Sequence, residues 1–324
     1  MAVAVALMSI SQVTPALELE NHPAIHELID EMVSKHQFER IDLERLFRQV
    51  AIRDSVVRAM KRPAERLPWH KYRSLFISDQ GIQNGVAFWA RHRATLEHAS
   101  EQYGVPAQII VAIIGVETRY GKVLGKHRVL DSLTTLVLRY PRRAEFFRRE
   151  LVEFLLLSRE EGFDPLALMG SYAGAIGVPQ FMPSSYRAYA VDFSGDARRD
   201  LISEPADAIG SVANYLARHR WRPGKPVVAN ATVAAGVDVN ALLAKGLHPE
   251  STVAALIQAG INIGGSPAAD TAVALMSFET LDGVDYRIGY ENFFVVTRYN
   301  SSRLYALAVY ELGEAIVARR TSVQ

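Results

Sequence analysis

The sequence predicts a mainly α-helical protein with a small β part, the α+β fold class. Apolar residues recur at helical spacing over most of the chain before residue 222, and the run AQIIVAIIGV at 107–116 is apolar on every side, as in a helix surrounded by protein. Short β-type runs are gathered between 223 and 288. The length of 324 residues corresponds to two or three domains, since one domain takes about 150 residues.

The composition excludes several functional classes. Hydrophobic residues make up 49% of the chain, which is enough for a sizeable core. Lys and Arg number 36 against 35 Asp and Glu, a net charge of +1, so the chain has no global field that would attract nucleic acid or an anionic membrane. Cysteine is absent, which excludes disulfides, thiolate metal sites, a cysteine nucleophile and a thiol-linked lipid.

The first 17 residues carry an incomplete signal-peptide pattern. Residues 2–10 are apolar but far too short to span a membrane, which takes about 20 residues. Small residues at Thr14 and Ala16 stand where a signal peptidase reads, but no Lys or Arg precedes the apolar run. We expect residues 1–17 to be a weak or truncated signal or a disordered N-terminus, and we expect no transmembrane segment in the chain.

Amphipathic helices predict an N-terminal α-domain over residues 18–103. Pro23 begins a helix with one apolar stripe, and Asp42 is in position to cap a second helix. Asp79 precedes a longer helix that Gly104 ends.

The stretch LPWHKYRSLF at 67–76 suits either a connection between helices or one wall of a cleft. For Trp69 and Tyr72 packing is the expected role, because buried aromatic side chains mostly stabilise cores.

Glu117 is a candidate for an acid catalyst. It follows the apolar run 107–116 and lies on the helix face of Ile113 and Ile114. Partial desolvation and the negative end of the helix dipole both favour the neutral form of a carboxyl group, which is the form that a general acid needs. The alternative is a structural ion pair with Arg119, and spacing alone leaves both interpretations open.

Residues 170–183, GSYAGAIGVPQFMP, form a small, turn-rich and uncharged segment. Its glycines permit close approach of the backbone to a ligand. Ser171 and Gln180 are its main hydrogen-bonding side chains besides the Tyr172 hydroxyl. A phosphate-binding loop is the alternative, but the segment lacks both the P-loop lysine and a preceding strand.

An Asp-rich segment predicts a cation-binding loop between two helices. Its oxygen donors alternate as in the first part of an EF-hand loop. These donors are Asp192, Ser194, Asp196, the carbonyl of Arg198, and Asp200.

Two positions of this loop depart from the EF-hand pattern. Ala197 stands where glycine is wanted, and Ser203 stands where a bidentate glutamate is wanted. Asp207 is in position to close a lengthened loop. We expect a weak structural site for calcium or sodium, and the alternative is a solvated Asp-rich turn without a metal.

After residue 222 the sequence pattern changes from helical to β-type. The runs 227–233, 272–280 and 284–288 predict strands, and Asp282-Gly283 is a hairpin turn signal. We therefore predict a small β-containing insertion over 223–288. Residues 293–300 then lead into a last helix that ends near Arg319.

Six motifs spread along the chain indicate one protein family. They are IIGVETRYG around Glu117, YPRRAEFF at 140–147, GSYAGAIGVPQFMPSSY at 170–186, VDFSGDARRDL at 191–201, DAIGSVANY at 207–215 and TRYN at 297–300. Together these motifs resemble the membrane-bound lytic murein transglycosylase B family, from about residue 22 to 320 with a weaker middle at 225–285.

The resemblance implies a lysozyme-like core over 104–222 with 289–324, beside the N-terminal α-domain and the inserted β-domain. It implies non-hydrolytic cleavage of the β-1,4 bond between N-acetylmuramic acid and N-acetylglucosamine in peptidoglycan, which leaves a 1,6-anhydromuramoyl end. It makes Glu117 the single catalytic residue, acting first as acid and then as base. No organic cofactor is expected.

The resemblance also implies contacts with the substrate and with a cation. Ser171 and Gln180 would donate hydrogen bonds to the N-acetyl and lactyl groups of the reacting sugar. Arg142 and Arg143 would meet the carboxylates of the peptide stem, with a solvated helix start as the alternative. The sugar subsites would be lined by Phe181, Tyr215, Tyr299, Asn300, Tyr305 and Tyr72. A calcium-type cation would lie at Asp192, Ser194, Asp196, the Arg198 carbonyl and Asp207.

The expected partners are the glycan strands of peptidoglycan, with penicillin-binding proteins or other wall enzymes as candidate protein partners and no nucleic acid. Membrane-bound members of the family carry a lipidated N-terminal cysteine, so a chain without cysteine is expected to be a soluble periplasmic form. Two alternatives stay open: a lysozyme-type muramidase that hydrolyses the same bond, and an inactive peptidoglycan-binding scaffold.

Overall fold

The structure, a computed structural model, describes residues 18–61 and 66–322. Contacts within the chain divide it into two compact units. Unit one comprises residues 18–61 and 127–174, and unit two comprises residues 66–126 and 175–322.

The predicted domain boundaries at 18–103, at 104–222 with 289–324, and at 223–288 stay a prediction. The two units divide the chain differently, because residues 66–103 group with unit two. The signal or disordered N-terminus predicted at 1–17 lies outside the described residues.

Helices dominate the described residues, as predicted. The α-helices are α1 (Pro23–His36), α2 (Arg40–Phe47), α3 (Asp54–Met60), α4 (Trp69–Ser74), α5 (Asp79–Arg91), α6 (Arg93–Tyr103), α7 (Ala107–Thr118), α8 (Val129–Arg139), α9 (Ala144–Glu161), α10 (Pro183–Tyr189), α11 (Pro205–Arg218), α12 (Val253–Gln258), α13 (Glu291–Tyr299) and α14 (Arg303–Thr321). The strands are β1 (His127–Arg128), β2 (Met169–Gly170), β3 (Val228–Val233), β4 (Ser251–Thr252), β5 (Ile261–Ile263), β6 (Ala272–Glu279) and β7 (Val284–Gly289). Among these helices, none is both long and apolar enough to cross a bilayer.

The first two helices of unit one differ in how well the sequence predicted their starts. Pro23 begins α1 as predicted, and its apolar stripe is buried. The cap predicted at Asp42 is wrong, because α2 begins at Arg40 and Glu39 precedes it. Asp42 instead lies in the first turn, where its carboxylate accepts a hydrogen bond from Arg45.

A buried carboxylate holds the elements of unit one together. Asp131 in α8 is 1% exposed, and its Oδ1 accepts a hydrogen bond from the backbone N–H of Ala51 at 3.0 Å. The guanidinium groups of Arg53 and Arg128 both pair with it. Two cations and a backbone donor offset the desolvation cost of this charge. The short strands β1 and β2 pair antiparallel in the same unit.

In unit two, the single helix predicted after Asp79 is two helices. α5 begins at Asp79, and the Oγ of Ser78 caps it by accepting a hydrogen bond from the Gly81 N–H at 3.1 Å. The chain leaves helical geometry at His92, and α6 then runs to Tyr103. Gly104 ends α6 with φ +70°, as predicted.

The apolar helix α7 is the central helix of unit two, as its sequence predicts. Every residue from Ile109 to Val116 is buried. α7 packs against α5, α6, α11 and α14, so protein surrounds it. Glu117 lies in its last turn.

The β part of unit two is one antiparallel sheet with the strand order β4-β6-β7-β3-β5. The hairpin of β6 and β7 turns at the predicted Asp282-Gly283 pair, with Glu279 opposite Val284. Val273, Leu275 and Ile288 form part of its buried core. The short strands β4 and β5 were not predicted.

The C-terminal segment contains one more helix than predicted. Residues 293–300, expected to lead into the last helix, lie mostly in α13. The chain then turns at Ser302, whose Oγ caps α14 by accepting a hydrogen bond from the Tyr305 N–H at 3.3 Å. This turn places Tyr305 in the first turn of α14.

Candidate active site

The carboxylate of Glu117 is held by a tyrosine. Glu117 is half-buried at the end of α7, and its Oε1 accepts a hydrogen bond of 2.7 Å from the hydroxyl of Tyr305. Tyr305 is 2% exposed. Burial, reinforced by the charge of Glu117, raises the pKa of Tyr305 well above 10. The phenol therefore remains a proton donor to the carboxylate throughout the neutral pH range.

The structure rules out the ion pair considered between Glu117 and Arg119. Arg119 is exposed and forms no ion pair with any described residue. It instead begins a tight turn after the helix. The interpretation of Glu117 as a structural ion-pair residue is therefore wrong for this partner.

The turn that follows Glu117 is strained. Arg119, Tyr120 and Gly121 all have left-handed backbones, with φ values of +50°, +62° and +81°. A side-chain-bearing residue in this conformation costs about 1–2 kcal/mol. Strain of this kind persists only where the surroundings impose it, and it is common at functional sites.

Thr118 imposes part of this turn. Its hydroxyl is fully buried and donates a 2.8 Å hydrogen bond to the carbonyl of Val178, while the N–H of Gly121 donates to the same hydroxyl at 3.0 Å. The residue after Glu117 is thereby tied to the segment that carries Gln180. No sequence pattern pointed to Thr118, because a threonine at this position carries no signal by its residue type alone.

The ring of Tyr120, a residue of this turn, packs against two glycines of neighbouring helices. A Cβ at Gly115 would lie 2.7 Å from the Tyr120 ring, and one at Gly85 would lie 2.6 Å from its hydroxyl oxygen. The hydroxyl donates to the carbonyl of Gly81 at 3.0 Å. Two glycines therefore make the space that Tyr120 fills, and sequence reasoning did not single out this tyrosine.

Gln180 presents a different group to the site than expected. Its backbone is left-handed, with φ +51°. Its Nε2 donates to the carbonyls of Gly177 at 2.9 Å and Leu124 at 3.2 Å. These bonds use both amide protons, so the group that remains for a ligand is Oε1. The donor role predicted for Gln180 is therefore revised to that of an acceptor.

Four of the residues predicted to line sugar subsites form one aromatic cluster. The ring centroids of Phe181, Tyr215 and Tyr299 lie 4.9–5.7 Å apart, and Tyr299 stacks on Tyr305 at 6.3 Å. Phe181, Tyr215 and Tyr305 are each less than 10% exposed, whereas Tyr299 and the adjacent Asn300 are half-buried. Tyr299 and Asn300 thus offer more surface to a ligand, and the other rings support them.

The cluster is fixed by hydrogen bonds to the backbone. The hydroxyl of Tyr215 donates to the carbonyl of Arg298 at 2.6 Å. The hydroxyl of Tyr299 donates to the carbonyl of Pro179, also at 2.6 Å. These bonds satisfy the polar ends of rings that are otherwise in apolar contact.

Tyr72 lies in aromatic packing. It is 2% exposed, with its ring 6.5 Å from that of Trp69 and 5.2 Å from that of Phe76. Trp69 in turn contacts Phe278 of β6. The packing role expected for Trp69 and Tyr72 is confirmed, and a sugar contact by Tyr72 stays a prediction.

The remaining predicted substrate residues belong to unit one. Ser171 follows β2, and its Oγ accepts a hydrogen bond from the N–H of Ala173 at 3.3 Å. Arg142 and Arg143 are exposed in the turn before α9, and the guanidinium of Arg143 lies 4.2 Å from the ring centroid of Phe146. The solvated helix start considered for the arginines agrees with this exposure. Substrate roles for all three stay predictions.

The Asp-rich loop between α10 and α11 gathers carboxylates. Carboxylate oxygens of Asp192, Asp196 and Asp207 all lie within 4.8 Å of one another. Asp207 is fully buried, and its two oxygens accept hydrogen bonds from the backbone N–H groups of residues 193, 194 and 200. Three acidic groups at this spacing repel one another, and an all-oxygen donor set suits calcium, so the residues present fit a hard cation.

Two residues of this loop have left-handed backbones, and one of them is not a glycine. Ala197 is left-handed with φ +67°, and Gly195 has φ +82°. Burial acts to raise the pKa of Asp192, but hydrogen bonds from the backbone N–H groups of residues 195–197 outweigh it and hold that pKa below its ordinary value. The ring of Phe193 stacks on His98 of α6 at 4.8 Å and anchors the loop.

Comparison with known proteins identifies the family. A family model described as a transglycosylase SLT domain matches residues 20–314. The chain is 43% identical over 313 residues to the membrane-bound lytic murein transglycosylase B of Escherichia coli (strain K12), which covers 94% of this chain and 85% of that protein.

Solved structures agree with this result. The chain is similar to the catenated lytic transglycosylase SltB1 from Pseudomonas aeruginosa, with 46% identity, a TM-score of 0.88, and coverage of 94% of this chain and 100% of that chain. It is also similar to the Escherichia coli lytic transglycosylase Slt35 in complex with calcium, with 43% identity, a TM-score of 0.86, and coverage of 96% and 98%.

These similarities confirm the predicted mainly α fold with a small sheet and a lysozyme-like core. They extend over the segments that carry Glu117, the aromatic cluster and the Asp-rich loop. The chain therefore belongs to the transglycosylase SLT domain family and is a lytic transglycosylase that acts on peptidoglycan.

Proposed function

We propose that Glu117 performs both proton transfers of the lytic reaction. As an acid it protonates the glycosidic oxygen while the bond between that oxygen and C1 of N-acetylmuramic acid breaks. As a carboxylate it then takes the proton of the C6 hydroxyl while O6 bonds to C1. The products are a free N-acetylglucosamine hydroxyl and a 1,6-anhydromuramoyl end, and Glu117 returns to its protonated form without consumption of water.

One carboxylate is enough for this sequence of steps. Glycosidases generally use two, one for the leaving group and one for a nucleophile or a water. Here the C6 hydroxyl of the substrate replaces the water, so the same carboxyl group serves both steps in turn. General acid–base catalysis of this kind contributes roughly 10²- to 10⁴-fold to the rate.

The observation that carries the proposal is the 2.7 Å hydrogen bond from Tyr305 to Glu117 at the end of the buried helix α7. A catalytic group must be held in a productive orientation, and a buried phenol that stays protonated supplies a fixed donor. The strained turn after Glu117, which Thr118 ties to Val178, supports the same role.

The sugar contacts in this proposal follow from the exposed parts of the cluster. Tyr299 and Asn300 contact the sugar rings, Phe181 and Tyr215 support them, and Gln180 accepts a hydrogen bond through Oε1. Four residues keep their expected roles as parts of the proposal. They are Ser171 at the N-acetyl and lactyl groups, Arg142 and Arg143 at stem carboxylates, and Tyr72 beside the sugar.

We also propose a calcium ion in the Asp-rich loop, held by Asp192, Ser194, Asp196, the carbonyl of Arg198 and Asp207. The ion supplies positive charge that neutralises the grouped carboxylates; it takes no part in bond cleavage. The loop leads directly into α11, which carries Tyr215. A stabilised loop therefore fixes the start of a helix that supports the aromatic cluster.

The proposed location is the periplasm, where the peptidoglycan substrate of a bacterium with two membranes lies. Penicillin-binding proteins or other wall enzymes are proposed as partners, since they act on the same polymer. Cross-linking in whole cells followed by identification of the captured wall enzymes tests this part.

The catalytic proposal is tested by replacing Glu117 with Gln and digesting purified sacculi. Loss of anhydro-ended muropeptides with retained sacculus binding supports it. Undiminished release by the variant would contradict it. Products heavier by one water would indicate hydrolysis instead.

A further inference from the structure

A cavity of about 330 Å³ lies in unit two beside the aromatic cluster. Its walls come from the end of α11, the loop 247–249 and one face of α13. The floor includes Phe294 and Val295, and the polar lining is mostly basic. None of these residues entered the predicted substrate site.

The lining of this cavity carries uncompensated positive charge. Arg220, Arg222 and Arg298 line it, whereas Glu291 is its single lining carboxylate and pairs with Arg222 at 3.4 Å. Within the described residues, neither Arg220 nor Arg298 forms an ion pair. The guanidinium groups of Arg220 and Arg298 therefore remain available to a ligand. The paired N–H donors of a guanidinium group match the two oxygens of a carboxylate.

Arg220 stands where a helix end favours glycine. Its backbone is left-handed, with φ +71°, and the N–H of Trp221 returns to the carbonyl of Leu216 at 3.0 Å, as in a glycine-type helix termination. A non-glycine residue in this conformation is strained. The helix dipole attracts cations here, but Arg218 already provides one in the last turn.

The cavity shares a wall with the aromatic cluster. The carbonyl of Arg298 accepts the hydroxyl proton of Tyr215 at 2.6 Å, and the ring of His219 stacks on that of Tyr215 at 4.1 Å. Arg298 and His219 therefore line the cavity and also contact a ring of the aromatic cluster. A second cavity of about 460 Å³ shares Arg222 and Glu291 and adds Lys225, so the basic lining continues.

We propose that this cavity binds the carboxylates of a peptide stem attached to the glycan substrate. The inference rests on the proposed function, since it assumes a peptidoglycan strand at the aromatic cluster. The sugar backbone of such a strand is neutral, whereas its peptide stems carry free carboxylates. An acidic peptide is therefore the part of the substrate that matches two unpaired guanidinium groups above an apolar floor.

Direct binding tests the site. Calorimetry with a free stem tripeptide, L-alanyl-D-glutamyl-diaminopimelate, compares the wild type with the Arg220→Gln/Arg298→Gln variant and with Arg218→Gln. Arg218→Gln is the matched control, because it removes the same charge two residues away and does not line the cavity. We expect the double variant to bind at least about tenfold more weakly and the control to stay within about twofold. Equal affinity in all three proteins would overturn the proposal.

A further arm separates this cavity from the arginines of unit one. If Arg142→Gln/Arg143→Gln loses tripeptide binding while Arg220→Gln/Arg298→Gln keeps it, the proposal is wrong. If the Arg220→Gln/Arg298→Gln variant loses binding, the stem carboxylates bind at the cavity, whether or not Arg142→Gln/Arg143→Gln also weakens binding. Circular dichroism of each variant checks that the fold is retained.

Cleavage assays distinguish failure of this inference from failure of the proposed function. Rates are measured on intact sacculi and on glycan strands freed of peptides by an amidase, and their ratio is compared between proteins. We expect the ratio to fall at least about fivefold in Arg220→Gln/Arg298→Gln and to be unchanged in Arg218→Gln. An unchanged ratio, or an equal loss on both substrates, overturns the inference alone. Absence of anhydro products from the wild type on either substrate contradicts the proposed function.

Discussion

The hydroxyl of Tyr305 donates a 2.7 Å hydrogen bond to Oε1 of Glu117, although 188 positions separate the two residues in the chain. The contact exists because α14 packs along α7 in unit two. The orientation of the proposed catalytic carboxylate is thus set by the last helix of the chain. Truncation or misplacement of α14 would act on the chemistry as well as on stability.

Replacing Tyr305 with Phe removes this donor and keeps the ring. A hydrogen bond to a charged group is worth about 1.5–3 kcal/mol, so we expect kcat to fall about 10- to 100-fold. KM should change little, because the phenol contacts Glu117 and its neighbours. Steady-state kinetics on soluble glycan strands measures both constants. Tyr310→Phe on the same helix is the control, and an equal effect of both variants would contradict the assignment.

Alkaline pH should destabilise the fold through the same tyrosine. The folded pKa of Tyr305 is raised above 10 by burial and by Glu117, so its contribution to stability is complete below pH 10 and is lost as pH rises above that value. The unfolded chain releases this proton first. The free energy of unfolding should fall by up to about 1.4 kcal/mol per pH unit from this group alone. Urea titrations between pH 9 and 11 give the free energy of unfolding at each pH. This free energy should fall less steeply with pH in Tyr305→Phe than in the wild type, and an equal fall in both proteins would contradict the role of Tyr305.

Gly115→Ala tests the space that Tyr120 occupies. The new Cβ would lie 2.7 Å from the Tyr120 ring, and we expect overpacking to cost about 1–3 kcal/mol and to lower activity by displacing the turn after Glu117. In a Tyr120→Ala background the clash disappears, and Ala is the better helix former by up to about 1 kcal/mol. The same substitution should then be neutral or stabilising. Urea unfolding of the four proteins gives the coupling, and additive effects would refute the contact.

Ala197→Gly tests the strain in the proposed calcium loop. Glycine adopts φ +67° without a steric cost, so we expect stabilisation by up to about 1 kcal/mol and a tighter calcium complex. Gly195→Ala is the matched opposite change, because its φ is +82° and nothing lies within 4 Å of the added Cβ. Relative to the wild type, the melting temperature should rise in Ala197→Gly and fall in Gly195→Ala. It is measured with calcium and with a chelator. A wild-type melting temperature that calcium does not change would contradict the proposed site.

The parts of the fold that the sequence predicted well are those that a local sequence pattern determines. The apolar run at 107–116 could only be a surrounded helix, and this placed Glu117 at the end of α7. The Asp282-Gly283 turn and its flanking β-type runs predicted the hairpin of β6 and β7. The aromatic cluster followed from the family resemblance, because no local period connects Phe181, Tyr215 and Tyr299.

The features that were missed depend on contacts distant in sequence or on backbone strain. The helical period continues through His92, and no glycine or proline marks the break between α5 and α6 there. Arg119 and Tyr120 are left-handed although neither is a residue type that favours this region. The revised role of Gln180 depends on the carbonyl of Leu124, 56 positions away, which no sequence pattern indicates.

The most direct test of the account is the mass of the muropeptides that purified sacculi release. The wild type should yield disaccharide peptides one water lighter than hydrolytic products, since the C6 hydroxyl replaces water in the proposed reaction. Glu117→Gln should bind sacculi with unchanged affinity and release at least about 100-fold less of these products. Two results would contradict the central claim that Glu117 alone performs both proton transfers. One is release of the heavier, hydrolytic products by the wild type, and the other is a wild-type rate of release by Glu117→Gln.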